Sequence, residues 1–175
     1  MDPVRILQVD LSAGKTETKE LPAEMRREYI GGMGLACRLL WDSSAYESEP
    51  LAPGNTFVLA VGPLAGTIFP GASRFETAFR SPLTGGIGYA SAGGFLAPEM
   101  KNTGFDAICV TGASKTPVYL FVKDGIAELR DASKLWGLDT YATEDALREE
   151  LADKRVRIAA IGPAGENLVK FAAVM

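Results

Sequence analysis

The chain has 175 residues, 47% hydrophobic and 23% charged, with a net charge of −4 and an isoelectric point near 5.0. That is the size and balance of one compact domain with a real core, and it excludes a general nucleic-acid or acidic-membrane partner, which needs a clustered basic face. There is no histidine, so Ser-His-Asp and Cys-His nucleophile systems and His-based zinc sites are excluded, and any difficult chemistry falls to a cofactor.

From the N-terminus, Arg5 to Leu11 (RILQVDL) alternates apolar and polar residues and runs through SAGK into TETKE, which predicts an antiparallel hairpin. No charged-plus-apolar leader precedes it and cysteine content is low, so a cytoplasmic location is expected. LPAEMRREYI predicts a helix with Pro22 near its start, and LACRLLW a second one, with a break or bend at Gly31 and Gly32. After the polar loop SSAYESEPLAPGN, Thr56 to Gly62 (TFVLAVG) predicts a short buried strand.

Gly62 to Gly104 holds nine of the nineteen glycines and carries its charge on Arg74, Glu76, Arg80, Glu99 and Lys101. Such a stretch presents mainly backbone, which fits either an anionic cofactor cradled by amides or a set of tight turns between strands. RFETAFRS and GGIGYAS predict strands joined by SPLTG, and FLAPEMKNTG a short helix closed by Gly104, with Pro98 confined to its first turn. DAICVTG, VYLFVKD and IAELRDA predict three consecutive strands, the last two joined at KDGI. A helix is expected from Asp139 or Thr140 (TYATEDALREELA), then a buried strand in RIAAIGPAGE and another beginning at LVKFAAVM. No apolar run is long enough to cross a bilayer. The sum is an α+β fold of two mainly antiparallel β-sheets with a few helices.

GGMGLACRLL has the glycine spacing of a dinucleotide fingerprint, but charged helical residues precede it where a buried strand is required, so it reads as a glycine-mediated helix join packed against a neighbour. LAVGPLAG and AAIGPAGE echo each other, by convergent turn chemistry or as a duplicated unit. Cys37 and Cys109 sit in apolar settings and read as core thiols. Arg74 offers a fork of donors suited to phosphate, or pairs with Glu76. The small-residue run Ser91, Ala92, Gly93, Gly94 predicts a helix start at which Ser91 caps and an anion could bind. Tyr89 reads as core packing, and Glu76, Glu99, Asp106 and Glu166 form no evident acid/base pair, so no catalytic residue is assigned.

Taken in order, GPLAGT, the arginine of GASRFE, SPLTGGI, ASAGGF, GFDAICVTG, PVYLFVKD, RDASKLWGLDT and IAAIGPAGENLVKFAAVM resemble the N-terminal domain of the aldehyde ferredoxin oxidoreductases over nearly the whole chain. The resemblance implies that residues 1–175 are a single, truncated domain whose two sheets form the base for a tungsten (or molybdenum) bis-pterin. It places Arg74 on a pterin phosphate and Ser91, Ala92 and Gly93 in the pterin loop. The Ser91 backbone carbonyl would ligate a Mg²⁺ bridging the pterin phosphates, where the best-known members carry asparagine. It further implies oxidation of aldehydes to carboxylic acids, a [4Fe-4S] cluster with ligands outside this chain, ferredoxin as acceptor, partner domains or subunits, and an isolated domain that is inactive and prone to self-association as a homo-oligomer. A non-catalytic module of the same fold, binding a phosphate-bearing ligand or a protein, is the alternative.

Overall fold

A computed structural model describes residues 3–175 and bears out the α+β expectation. The predicted hairpin forms from β1 (Val4–Asp10) and β2 (Lys15–Leu21). β1 is buried at Val4, Ile6, Leu7 and Val9, whereas β2 is a mostly exposed, charged edge. β3 (Phe57–Val61), β4 (Arg74–Arg80), β5 (Ile87–Gly93) and β6 (Ala107–Thr111) complete a six-stranded sheet in the order β2-β1-β6-β3-β4-β5. All neighbours are antiparallel except β1 and β6. β7 (Val118–Lys123) and β8 (Ile126–Asp131) form a separate two-stranded sheet, so the three consecutive strand candidates divide between sheets. Asp124 and Gly125 both have positive φ, as a two-residue hairpin turn matched to strand twist requires.

Five α-helices accompany the strands among the described residues: α1 (Ala23–Tyr29), α2 (Gly32–Asp42), α3 (Leu96–Asn102), α4 (Thr140–Glu150) and α5 (Gly162–Glu166). Leu35, Ala36, Leu39 and Leu40 of α2 pack on one face of the large sheet against Val4, Ile6, Val58, Ala60, Ala78, Ala107 and Cys109. On the opposite face α3 packs Ala97 and Met100 on Val61 and Ala65, while Leu7, Val9 and Phe105 meet Leu120, Val122, Ala127 and Leu129 of the small sheet. Pro98 falls in the first turn of α3, where its missing N–H costs nothing. Cys109 is the core thiol expected, and burial pushes its pKa up to about 12, which keeps it an unreactive thiol. Cys37 is only partly buried, with its Sγ 3.2 Å from Met33 Sδ.

α1 and α2 are broken apart at Ile30, Gly31 and Gly32, whose φ angles are 62°, 155° and 52°. A Cβ on Gly31 would lie 2.9 Å from the Val61 carbonyl oxygen, so the join lies directly against the end of β3. This is the close glycine packing expected of GGMG.

Three expectations fail. Residues 157–161 form no strand, and no strand begins in 168–175: Ala160 and Met175 exchange both backbone hydrogen bonds at 2.9 Å, but no ladder extends from that pair. The composition had the apolar content of a strand, yet Ile161, Phe171 and Val174 stay exposed and no neighbouring strand supplies hydrogen bonds. Of the two readings of the Gly-Pro echo, the duplicated unit is the one that falls, since LAVG ends β3 and enters a turn whereas AAIG leads into α5. Tyr89 is 58% exposed because β5 is an edge strand and nothing packs over it.

At the head of β6, Asp106 has a side chain only 4% exposed. It accepts hydrogen bonds from Arg26 Nη1 and Nη2 at 3.1 and 2.7 Å, from Lys101 Nζ, and from the Arg5 backbone N–H at 3.0 Å. Its own backbone N–H and C=O bond to Arg5 O and Val61 N. Burial pushes its pKa up, but the bonds from Arg26, Lys101 and Arg5 outweigh that and hold the carboxyl below its ordinary 3.8.

A lowered folded-state pKa contributes stability that is complete above the ordinary value and is lost as pH falls through the folded one. Asp106→Asn is therefore expected to cost ~3 kcal/mol near neutral pH. Urea titrations across pH should show the loss of stability below pH 3.8 flattened in that variant. Gly31→Ala, which meets backbone on β3 and requires a strained φ, should cost about 2–4 kcal/mol in the same measurement.

Candidate functional site

The β4–β5 hairpin fixes the register of the candidate residues. Ser81 N–H donates to Gly86 O at 2.8 Å, while the Arg80 N–H and C=O turn the other way and bond the Asn55 side-chain amide at 3.1 and 3.0 Å. Counting back in alternation from there makes Glu76–Ser91 and Arg74–Gly93 non-hydrogen-bonded pairs, the kind in which facing side chains lie closest. It also directs the backbone N–H and C=O of Ser91 and Gly93 to the open edge of the sheet, while those of Ala92 are taken up by the ladder to Phe75. The three residues of the small run thus divide into two that present backbone outward and one that anchors the strand.

On the face that α2 covers, Arg74 Nη1 donates to Ser91 Oγ at 3.1 Å, and Ser91 Oγ donates to Glu76 Oε1 at 2.9 Å. Arg74 and Glu76 are therefore joined through a hydroxyl and not as a direct ion pair. Glu76 Oε2 is buried and finds no hydrogen-bond partner among the described residues. Both residues line a cleft of about 390 Å³, together with Gly32 and Met33 at the start of α2, the turn Gly62–Ala65 and the loop Phe69–Ala72. The cleft wall is apolar apart from one guanidinium and one carboxylate, so it suits a ligand that brings an anionic group and a hydrogen-bond donor.

Ser91 is not a helix cap. It lies within β5, and α3 begins at Leu96 with Phe95 before it and no side-chain cap. Gly94, at φ 109°, turns the chain between strand and helix, and Ser73 Oγ bonds its carbonyl oxygen. The run of small residues signals a strand edge followed by a turn, and the helix expected over FLAPEMKNTG begins at Leu96, beyond the reach of a Ser91 cap.

Of the acids noted in the sequence, Asp106 is held by Arg26 and Lys101 and Glu166 accepts the Gly137 N–H at 3.0 Å, so neither is poised for proton transfer. Among the described residues no group of three or more His, Cys, Asp or Glu could hold a metal ion. Sequence reading weighed Glu76 as a direct partner of Arg74 and missed its link to Arg74 through Ser91. Its signal was present: Arg74 and Glu76 are two apart on a strand and share a face, and a hairpin closing at SPLTG brings Ser91 opposite Glu76.

Residues 6–175 match the family described as aldehyde ferredoxin oxidoreductase, N-terminal domain. The tungsten-containing aldehyde ferredoxin oxidoreductase of Pyrococcus furiosus is 44% identical over 171 residues, covering 98% of this chain and 28% of that protein. The WOR-like subunit of aliphatic sulfonate oxidoreductase from the same organism is 32% identical, with 98% and 30% covered. Among solved structures, the active-site complex BamBC of benzoyl coenzyme A reductase with 1,5-dienoyl-CoA superimposes with a TM-score of 0.94 at 37% identity, over 98% of this chain and 26% of that one. The chain thus spans less than a third of the length of these relatives. By the match of its sequence from Ile6 to the last residue and by its fold, it belongs to the aldehyde ferredoxin oxidoreductase family and corresponds to that family's N-terminal domain.

Proposed function

We propose that this domain is the cofactor base of a tungsten (or molybdenum) bis-pterin oxidoreductase that oxidises aldehydes to carboxylic acids with ferredoxin as electron acceptor. The observation that carries the reading is the end of the β4–β5 hairpin, where one guanidinium without a carboxylate directly on it adjoins a sheet edge of outward-facing backbone groups.

These residues fit such a group by the chemistry of their donors. Arg74 supplies charged N–H donors to a phosphate oxygen, with Ser91 Oγ holding its orientation. The Ser91 carbonyl on the open edge is a hard oxygen ligand of the type Mg²⁺ prefers, and it does not depend on the side chain, so serine serves where asparagine stands in the best-known members. Gly93 presents N–H and C=O with no side chain in the way, and at Gly94 an added Cβ would meet nothing within 4 Å, leaving space at the loop. Ala92 contributes by anchoring the strand between them. When bound, the metal bis-pterin would supply the two-electron chemistry, and a [4Fe-4S] cluster with ligands outside this chain would link it to ferredoxin. The role of these residues is to bind and orient. None of them is positioned here as an acid or base.

In an enzyme carrying this domain with the full length of its relatives, Arg74→Ala should lower tungsten and pterin content about tenfold when dialysed at sub-saturating cofactor, the scale of one lost charge-assisted contact. Elemental analysis and pterin fluorescence after oxidation read this out. Cofactor content equal to that of the unsubstituted enzyme would favour the non-catalytic module. The 175-residue chain alone should retain no stoichiometric tungsten, since each pterin phosphate would keep only part of its ligands.

A further inference from the structure

Arg74 and Glu76 stand two apart on β4, so their side chains leave the same face of the sheet, and Ser91 lies opposite Glu76 across a non-hydrogen-bonded pair. An acid so placed ordinarily closes an ion pair on the arginine. Here both groups bond the hydroxyl between them: Arg74 Nη1 donates to Ser91 Oγ at 3.1 Å, and Ser91 Oγ donates to Glu76 Oε1 at 2.9 Å. The direction of this relay is set by chemistry. A guanidinium only donates and a carboxylate only accepts, whereas a hydroxyl carries one hydrogen and two lone pairs on a bond that rotates to suit.

Ser91 Oγ can receive Arg74 only while its own hydrogen points elsewhere, and Glu76 is the acceptor that takes that hydrogen. Without it the O–H would turn among staggered positions, some of which aim the hydrogen at the guanidinium. Glu76 is in turn backed by α2: a Cβ on Gly32 would lie 3.4 Å from Glu76 Cγ, so the stem of the acid stands against the first residue of that helix. At the other end of the relay, Arg74 Nε and Nη2 have no hydrogen-bond partner among the described residues. With Nη1 held by Ser91, the Nε–Nη2 edge is the one left for a ligand, and it offers two parallel N–H donors.

We propose that Glu76 is a positioning residue: by taking the Ser91 hydrogen it turns a Ser91 lone pair onto Arg74 Nη1, and so aims the Nε–Nη2 edge of Arg74 at a phosphate-class oxyanion. This rests on the reading of Arg74 as a phosphate contact. Glu76 itself touches no ligand in this arrangement and takes no part in proton or electron transfer. A simple charge argument gives the opposite expectation, since an acid beside an anion seat repels the anion and its removal should tighten binding. Holding the guanidinium in place before the ligand arrives works the other way, because less rotamer freedom is then lost on binding.

Glu76→Gln and Glu76→Leu separate the two effects, since both remove the charge and only the amide keeps an oxygen for the Ser91 hydrogen. Calorimetric titration of the 175-residue chain with inorganic pyrophosphate at low ionic strength should show Glu76→Gln binding about fivefold more tightly than Glu76→Leu, the scale of one net hydrogen bond. In a Ser91→Ala background the two should agree within about twofold, because the group through which Glu76 acts is gone. Glu76→Ala serves as a second variant lacking the oxygen, and thermal melts show which variants are folded. A further measurement needs no ligand: the NMR order parameter of the Arg74 Nε–H, its signal assigned by its loss in Arg74→Ala, should fall in Glu76→Leu and be kept in Glu76→Gln. Equal pyrophosphate affinities for Glu76→Gln and Glu76→Leu overturn the proposal, as does a difference that persists in Ser91→Ala or an order parameter unchanged in Glu76→Leu. If the unsubstituted chain binds no pyrophosphate while the order parameter falls as stated, Glu76 does position Arg74 and it is the phosphate seat that fails.

Discussion

The buried carboxylate of Asp106 is the constraint from which the rest of the architecture hangs. β6 enters the large sheet between β1 and β3, bringing together segments about a hundred residues apart in sequence, and the residue at its head must stay charged while nearly excluded from water. Two cations and a backbone donor together supply hydrogen bonds to both carboxylate oxygens, so no lone pair is left bare in the low-dielectric interior. The cations come from different helices on different faces. Arg26 hangs α1 from the sheet, and α1 sets the Ile30–Gly32 join that forms one wall of the cleft. Lys101 hangs α3, which begins two residues after the Gly94 turn at the end of β5. Both sides of the candidate site are thus positioned by one acid that belongs to neither.

Much of the fold was legible because its signals are local. Alternation marks β1, the Asp124–Gly125 pair marks the β7–β8 turn, and Asp139 caps α4 by accepting the Ala142 N–H at 2.8 Å. What was not legible depends on partners. The parallel pairing of β1 with β6 and the assignment of β7 and β8 to a second sheet are choices among long-range contacts that periodicity does not encode. Residues 157–161 have strand composition without an available ladder, and Tyr89 has an aromatic's preference for burial on an edge strand that offers none.

The candidate site divides in the same way. Composition pointed to a surface made of backbone, and the family resemblance singled out Arg74, Ser91, Ala92 and Gly93. Only the register separates the outward-facing Ser91 and Gly93 from Ala92, and only the folded hairpin exposes the Arg74–Ser91–Glu76 chain. The role of Glu76 was read only as a simple ion pair because an acid two residues from an arginine suggests one, whereas Ser91 stands between them.

The two edges of the large sheet are built differently, and the difference bears on function. β2 carries Lys15, Glu17, Lys19 and Glu20, charges that discourage another strand from adding to it. β5 (IGYASAG) carries none, although an uncharged edge is a standing hazard for aggregation. Charged side chains there would obstruct the close approach of a ligand to Ser91 and Gly93, so an edge reserved for a cofactor must leave its backbone bare. A seat made of peptide groups also tolerates replacement of side chains. On the proposed reading, that is how a superposition at a TM-score of 0.94 coexists with 37% identity to a protein named for benzoyl coenzyme A, while relatives named for aldehydes and sulfonates share the same domain. On that reading the domain would hold what these enzymes have in common, and the choice of substrate would fall to residues outside it.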